Sequence, residues 1–299
     1  MRNSTPLVVG IDVGGTKTHL RATAPDGHVA DHVRTSGGWR PHDPAAAADW
    51  LAVLLHEALP AGARPSALAV GGHACETPRQ CEEIRAALLE RLPVPASVVG
   101  DAELLVPAAG LDKGVGLVAG TGSVAVGHLA DGTPVQVGGW GAVLGDEGGS
   151  AGLVREAARA VWAAHDRGEP PDALARGLIA AFGVAEVPAL GAALESASSP
   201  SAAWGRHAPA VFAAAEAGSV LARTVISEGG RALAALVGRL AARGIPVDDV
   251  VVAGGTVLAQ PALYDAFASA LAGLVPGARP QPLRVPPVEG ALALARSLL

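Results

Sequence analysis

The chain has 299 residues, half of them apolar, a formal charge of −6 at pH 7 and two cysteines. This length is enough for two domains with apolar cores, and the absence of a basic run argues against a nucleic acid partner. Two thiols are too few for a disulfide framework or a four-thiolate metal site. No stretch of about 18 apolar residues predicts a membrane span, and six residues without a secretory signal precede the first strand, which favours the cytoplasm.

The first part of the chain alternates strands, glycine turns and helices. The apolar pattern predicts strands at 7–13, 19–24 and 28–34, a helix at 44–59, a strand at 67–70, a helix at 78–92 and a strand at 96–99. A glycine turn at 14–18 separates the first two strands, and Asp101 closes the last one. The order of elements is therefore βββαβαβ.

The rest of the chain repeats this order with an insertion. Strands are predicted at 115–120, 123–130 and 134–138, an Ala-rich helical region at about 150–244, a strand at 249–253, a helix at 261–274, a strand at 283–285 and a helix at 288–299. We expect an α/β protein with duplicated βββαβαβ domains, 1–113 and 114–299. The strand-end turns of both copies would face a cleft between them, where α/β sheets bind ligands.

Two Gly/Thr turns carry the first chemical signal. Gly14-Gly15-Thr16-Lys17 and Gly120-Thr121-Gly122-Ser123 each follow a strand and lead into another strand. This order excludes the Walker A loop and the Rossmann fingerprint, which need a strand, a turn and a helix. Turns rich in N–H groups bind phosphate, so two facing hairpin turns could hold a polyphosphate. A β-meander with ordinary glycine turns is the alternative.

Charged residues accompany the first turn. Asp12 ends the first strand, where a carboxylate could hold Mg²⁺ through water, or it is a solvated turn acid. Lys17 could neutralise phosphate, or it is a surface lysine. His73, Cys75 and Cys81 surround a later turn at 71–72, where a metal site would need more ligands, so we expect a packed turn.

Four motifs in chain order resemble the actin/hexokinase/Hsp70 superfamily. GIDVGGTKT at 10–18, AGTGS at 119–123 and VVAGGTVL at 251–258 are similar to its two phosphate motifs and its adenosine motif. GGWGAVLGDEGGSA at 138–151 resembles the N-acetylglucosamine kinase branch, grouped with the BadF/BadG/BcrA/BcrD-type ATPases. The resemblance implies ribonuclease H-like, actin-type ATPase domains, ATP and Mg²⁺ as cofactors, a small-molecule sugar substrate and a cytoplasmic homodimer without a membrane or nucleic acid partner.

The resemblance also implies roles for individual residues. Asp101 corresponds to the catalytic aspartate, Thr16 and Thr121 would contact the phosphates of ATP, and Gly254 and Gly255 would clear space for the adenosine. The whole nucleotide-binding set is Gly14, Gly15, Thr16, Lys17, Gly120, Thr121, Gly122, Gly254, Gly255 and Thr256. The sugar-binding set is Asp101, Ser123, Gly139, Trp140, Gly141 and Asp146.

The chemistry of these residues agrees with those roles. A sugar hydroxyl that attacks the γ-phosphate needs positioning and a proton acceptor, which Asp101 could supply unless it caps a helix before Ala102-Glu103. Asp146 could accept bonds from two sugar hydroxyls, or it caps the helix that follows. Trp39 could equally line the sugar pocket or act as a structural plug.

The sequence departs from those kinases in two places. They have Asn where this chain has Val124, and another Asn in the loop that reads Ser36-Gly37-Gly38-Trp39-Arg40-Pro41 here. The resemblance implies N-acetylglucosamine, phosphorylated at its 6-hydroxyl, as the first expectation, and these two departures keep another hexose, N-acetylmuramate or a cyclitol open. One alternative is an ATPase activator of a radical dehydratase, although those proteins carry a Cys just before the Gly-Thr-Gly turn, which residues 117–119 lack. The other is a sugar-sensing regulator, which would add an N-terminal helix-turn-helix.

Overall fold

The structure is a computed structural model that describes residues 7–24 and 27–299. It divides into two compact units: unit 1 comprises the chain up to Gly116 together with Leu283–Leu299, and unit 2 comprises Leu117–Pro282. The expected boundary between residues 113 and 114 stays a prediction. The structure differs from it in grouping the C-terminal segment with unit 1.

The order of elements repeats, as the sequence predicts. The strands are β1 Leu7–Val13, β2 Lys17–Ala24, β3 Gly27–Thr35, β4 Pro65–Gly72, β5 Ala96–Gly100, β6 Val115–Ala119, β7 Ser123–His128, β8 Pro134–Gly138, β9 Asp249–Ala253 and β10 Arg279–Pro282. The helices are α1 Pro44–Ala58, α2 Pro78–Arg91, α3 Leu105–Ala108, α4 Gly141–Leu144, α5 Ser150–Asp166, α6 Ala173–Phe182, α7 Leu190–Glu195, α8 Pro200–Gly205, α9 Ala208–Glu216, α10 Val220–Ala242, α11 Gly255–Ala259, α12 Pro261–Leu274 and α13 Val288–Arg296. Short 3-10 turns lie at Asp101–Leu104 and Val187–Ala189.

Two mixed five-stranded sheets share one topology. The first has the order β3-β2-β1-β4-β5, and the second, in the equivalent direction, has the order β8-β7-β6-β9-β10. In the first sheet β1 pairs antiparallel with β2 and parallel with β4. The predicted α/β fold with duplicated βββαβαβ units is therefore confirmed.

Strand β1 presents different residues to the two faces of its sheet. Val9 and Ile11 lie in a core that includes buried residues of α1 and α2. Val8 packs on the other face with Leu292 of α13. Gly10 allows this close packing, since a Cβ there would lie 2.7 Å from the backbone nitrogen of Leu292. The close approach explains why the C-terminal segment groups with unit 1.

The helices that cover unit 1 begin at matched sequence signals. Asp43 accepts a hydrogen bond from the backbone N–H of Ala46 (3.0 Å), and Pro44 occupies the first turn of α1. Thr77 does the same for α2, accepting from the N–H of Gln80 at 3.2 Å. A capping side chain followed by proline fixes where a helix starts.

In unit 2, one long helix packs against the second sheet and against other helices. The 23-residue helix α10 packs against α5, α12, β7 and β8. In the described part of the chain no single helix is long and apolar enough to span a membrane, and only the bent pair Ala173–Phe182 with Val187–Glu195 reaches that length and composition when taken together.

The last strand lies at a different place from its prediction. The sequence predicts a strand at 283–285, whereas β10 spans Arg279–Pro282 and pairs in parallel with β9. The sequence does not indicate this strand because it contains Pro280 and Pro282, and proline is disfavoured in most strands. Both prolines are tolerated because β10 is the edge strand of its sheet, where one row of N–H groups is not needed for pairing.

Candidate active site

Hydrogen bonds from Gly14 and Ser36 hold the turn between β1 and β2. The N–H of Gly14 donates to the carbonyl of Lys17 at 3.0 Å. Ser36 supports the turn twice, since its hydroxyl donates to the carbonyl of Gly14 at 2.6 Å and its N–H donates to the carbonyl of Thr16 at 3.1 Å. Gly15, Thr16 and Lys17 are exposed at the tip. The turn therefore presents a preformed tip on which phosphate could lie.

Asp12 lies at the end of β1, opposite His19 on β2 and Gly71 on β4. The pKa of its carboxyl is raised to about 7, by burial first and by the charge of Asp101 second, while the charge of Lys17 acts in the opposite direction. Two carboxylates in unit 1 therefore lie close enough to repel each other. A cation bound between them would offset that repulsion.

The donor set at Asp12 fits magnesium. Mg²⁺ is usually held by one or two carboxylates together with water and substrate phosphates. No three His, Cys, Asp or Glu side chains in the described residues form a complete protein metal site. A metal at Asp12 would thus take its other ligands from water and phosphate, as magnesium does.

Asp101 is the first residue of the 3-10 turn that follows β5. The cap of that turn is Gly100, whose N–H donates to Glu103 Oε1 at 2.9 Å. The Asp101 carboxylate is therefore not used as the helix cap that the sequence analysis kept as an alternative. Its side chain is 29% exposed, and its Oδ2 lies 3.6 Å from Nδ1 of His73.

His73 follows β4 and is fixed through its backbone. Its N–H donates to the carbonyl of Val13 at 2.7 Å, and its carbonyl accepts from the indole Nε1 of Trp39 at 2.9 Å. The Trp39 ring packs edge-on against Trp50, with 5.6 Å between the ring centroids. Trp39 thus braces the turn that carries His73. Cys75, two residues later, and Cys81 are free thiols buried in the core.

In unit 2, the turn between β6 and β7 is held by its carbonyl groups. The Gly120 carbonyl accepts from the N–H of Ser150 at 2.8 Å and from the hydroxyl of Thr256 at 2.7 Å. The Thr121 carbonyl accepts from the N–H of Ala151 at 3.1 Å. Since a trans peptide places its C=O and N–H on opposite sides, the N–H groups of Thr121 and Gly122 point away from the start of α5.

The Gly-Gly-Thr motif after β9 lies against the same turn. Gly254 has a φ of +115°, and a Cβ there would lie 2.7 Å from the backbone nitrogen of Gly120 and close to the carbonyl of Ala119. The sequence analysis ascribed both glycines to clearance for adenosine. The structure shows that Gly254 is required by the backbone of β6, whereas a Cβ at Gly255 would meet open space.

Asp146 is a buried carboxylate beside this turn. Its side chain accepts from the N–H of Ser123 at 3.3 Å, it is 6% exposed, and its φ is +59°. Burial raises its pKa, and the bond from Ser123 partly opposes that rise. The cap of α5 is Gly149, so Asp146 does not have the capping role kept as its alternative. The hydroxyl of Ser123 donates to the carbonyl of Glu147 at 2.7 Å and so holds the acidic loop.

Trp140 lies in a glycine-rich segment that Arg155 holds in place. Gly139 and Gly141 both have positive φ, and the Trp140 residue is 70% exposed. The guanidinium of Arg155 on α5 donates to the carbonyls of Ala142 and, at 2.7 Å, Gly145. Sequence reasoning missed Arg155, although an arginine among the buried residues of an amphipathic helix signals a partner nearby.

Several solved structures are similar to the chain over almost its full length. A candidate N-acetylglucosamine kinase from Chromobacterium violaceum is 26% identical, with a TM-score of 0.74, covering 98% of this chain and 99% of the other. One from Porphyromonas gingivalis is 18% identical, with a TM-score of 0.64 and coverage of 95% and 97%. A ROK family glucokinase from Streptomyces griseus, in complex with glucose and AMPPNP, is 16% identical, with a TM-score of 0.57 and coverage of 97% and 98%.

A protein family also matches the chain. The search of curated proteins found no match. Residues 9–295 match the BadF/BadG/BcrA/BcrD ATPase family. That match spans nearly the whole chain, including the turns of both units, Asp101 and the acidic loop. The chain therefore belongs to the BadF/BadG/BcrA/BcrD ATPase family.

Proposed function

We propose that this chain is an amino sugar kinase that transfers the γ-phosphoryl group of ATP to N-acetylglucosamine, at its 6-hydroxyl. The observation that carries the proposal is the position of Asp101, at a strand end beside Asp12 and free of the capping bond. The ATPase family and the 26% identity to a candidate N-acetylglucosamine kinase support it. The chain is thus an ATP-dependent phosphotransferase that acts on a sugar hydroxyl.

Each unit has a turn that could bind phosphate oxygens of ATP. In unit 2 the N–H groups of Thr121 and Gly122 bind phosphate oxygens, and in unit 1 the exposed tip at 15–17 does the same with the Lys17 ammonium. Gly14 and Gly120 close these turns, and Gly254, Gly255 and Thr256 support the nucleotide end. A magnesium ion, held by Asp12 through water and by the phosphates, would neutralise phosphate charge.

Asp101 would act as the general base. It accepts the proton of the sugar hydroxyl while the hydroxyl oxygen forms a bond to the γ-phosphorus, the bond from that phosphorus to the bridging oxygen breaks, and ADP leaves with the bridging oxygen. One oxygen–phosphorus bond forms and one breaks, and no oxidant or reductant is needed. The Asp101 side chain is only partly exposed, so a bound sugar would cover the rest of its carboxylate and exclude water from it.

The sugar would be read by unit 2. Asp146 accepts bonds from two sugar hydroxyls, and a buried acceptor rejects a ligand that lacks those hydroxyls. The exposed indole face of Trp140 packs on the pyranose, and Ser123, Gly139 and Gly141 shape the loop around it. Trp39 would act indirectly, by holding the turn that carries His73. The missing amides at Val124 and in the 36–41 loop keep another hexose, N-acetylmuramate or a cyclitol as the alternative substrate. We also propose a cytoplasmic homodimer that binds neither nucleic acid nor membrane.

A panel of sugars in a coupled ADP-release assay tests the proposal. We expect N-acetylglucosamine to give the highest kcat/KM, with turnover lost in the Asp101→Asn variant. If none of the sugars gives turnover above the ATPase background, the proposed kinase function is contradicted. Strong ATPase activity that no sugar stimulates would instead favour an ATPase activator.

A further inference from the structure

The imidazole of His73 lies between the candidate base and the phosphate turn of unit 1. Its Nδ1 is 3.6 Å from Oδ2 of Asp101. On the opposite edge, a Cβ built on Gly15 would lie 3.5 Å from its Nε2. One edge of the ring therefore faces Asp101, and the other faces the tip of the 14–17 turn.

The backbone of His73 is fixed more firmly than its exposure suggests. Its side chain is 56% exposed, yet its N–H and C=O are bound by the Val13 carbonyl and the Trp39 indole. Both partners belong to unit 1, on β1 and on the segment after β3. The Cα of His73 is thus anchored to the strand that ends beside Asp12, which leaves the ring only its own two side-chain rotations.

Asp101 has little else to orient it. In the described residues its carboxylate forms an ion pair with His73 alone, and the side chain that bonds the N–H of the cap residue Gly100 is Glu103, not Asp101. The charge of Asp12 is near enough to act on Asp101 and would push the carboxylate away. His73 stands where an N–H donor could counter that push.

We propose that His73 is a positioning residue that holds the Asp101 carboxylate in the orientation needed to accept the hydroxyl proton. The inference rests on the proposed function of Asp101 as general base. The 3.6 Å separation is longer than a hydrogen bond. Contacts of this kind are often long without substrate and tighten in the reacting complex. The hydrogen bond that forms would fix which lone pair of Asp101 meets the sugar hydroxyl.

Substitutions at His73 separate positioning from binding. His73→Ala should lower kcat by about 10- to 100-fold, the effect of a misplaced catalytic group, with KM for ATP and for sugar changed less than about threefold. His73→Asn, whose amide can place a donor near the Nδ1 position, should recover part of the loss. His56→Ala, an exposed histidine on α1 of the same unit, is the matched control and should match wild type. The melting temperature of each variant is measured alongside.

Two outcomes would overturn the role of His73. The first is a kcat of His73→Ala within about twofold of wild type. The second is an equal loss in the Ala and Asn variants, which would show that the ring acts only through packing.

An NMR measurement tests the contact without any turnover. In protein labelled with ¹⁵N-histidine, the ring nitrogen resonances of His73 should differ between wild type and Asp101→Asn, while those of His56 stay unchanged. An unchanged His73 signal overturns the contact. If the signal changes but no sugar is phosphorylated, the proposed kinase function fails while the His73–Asp101 contact stands.

Discussion

Asp12 is a carboxylate in a place that disfavours its charge. Its pKa is raised to about 7 from an ordinary value of 3.8, by burial first and by Asp101 second. Between those two pH values the folded protein holds a proton that the unfolded chain releases, so stability falls as pH rises through this window. Above about pH 7 the whole penalty is present. Such a cost is expected where a site awaits a cation.

Replacing Asp12 with Asn should therefore stabilise the protein without ligand. The variant cannot ionise, so its melting temperature should exceed that of wild type above pH 7 and match it near the ordinary pKa of 3.8. Added Mg²⁺ with an ATP analogue should raise the melting temperature of wild type much more than that of Asp12→Asn. Thermal melts across this pH range measure both effects. A variant less stable than wild type above pH 7 would contradict the account.

Asp101→Asn tests the general base directly. The amide cannot accept the hydroxyl proton, so kcat should fall by about 10²- to 10⁴-fold. Sugar binding measured by calorimetry and the melting temperature should stay close to wild type, because the N–H of the cap residue Gly100 is bonded by Glu103 and not by Asp101. If the variant keeps about half of the wild-type kcat or more, the base is another group.

The proposed sugar ligand Asp146 is also a buried carboxylate. Burial raises its pKa, so its charge costs stability as pH rises above the ordinary range of a carboxyl. Asp146→Asn keeps an oxygen for the Ser123 N–H, and it should be at least as stable as wild type near neutral pH. Its KM for sugar should rise by about 10- to 100-fold, since one of two acceptors becomes a donor. A lower melting temperature with an unchanged sugar KM would show that Asp146 is structural.

At the scale of elements, α5 organises the segment of unit 2 that we propose binds the sugar. Its first two N–H groups hold the carbonyls of Gly120 and Thr121, and its Arg155 holds the carbonyls of Ala142 and Gly145. One helix thus bonds both the turn at 120–123 and the segment that carries Trp140. Both are held by hydrogen bonds from α5 to backbone carbonyls.

Removing the Arg155 guanidinium should loosen the segment that carries Trp140 and leave the turn at 120–123 unchanged. Arg155→Ala should raise the KM for sugar by about tenfold or more, the effect of losing charge-assisted bonds, while the KM for ATP stays near wild type. Arg159→Ala on the same helix is the control, because that side chain is 70% exposed and pairs with Glu156, away from the carbonyls that Arg155 bonds. Steady-state kinetics with each substrate varied in turn measures the split. Equal increases in both KM values would count against a local effect.

Elements with a strong period were predictable, and short or proline-bearing ones were not. The predicted bounds of β1, β9 and α12 agree with the structure, because their apolar runs are long and clearly ended. Strand β10 was misplaced by three to four residues since Pro280 and Pro282 interrupt it. Helices α3, α4 and α11 span only four or five residues, too few for a helical period to show.

At the scale of the whole molecule, the duplication explains which site residues the sequence could predict. The turns at 14–17 and 120–123, and Asp101, each follow a strand of a repeated pattern, so their placement at strand ends follows from the order of elements. The supporting residues Ser36, His73 and Arg155 lie outside the motifs and reach them only through the fold. Their roles depend on pairing and on helix packing, which no local pattern encodes.

The proposed function requires that the γ-phosphoryl group of ATP reaches a sugar hydroxyl. This transfer is measured most directly by ³¹P NMR of a reaction that contains the protein, Mg²⁺, ATP and N-acetylglucosamine, with Asp101→Asn in parallel. We expect ADP and a hexosamine phosphate ester in equal amounts, with the ester on the 6-oxygen and neither product in the variant. ADP accompanied only by inorganic phosphate, in wild type and variant alike, would contradict the transfer.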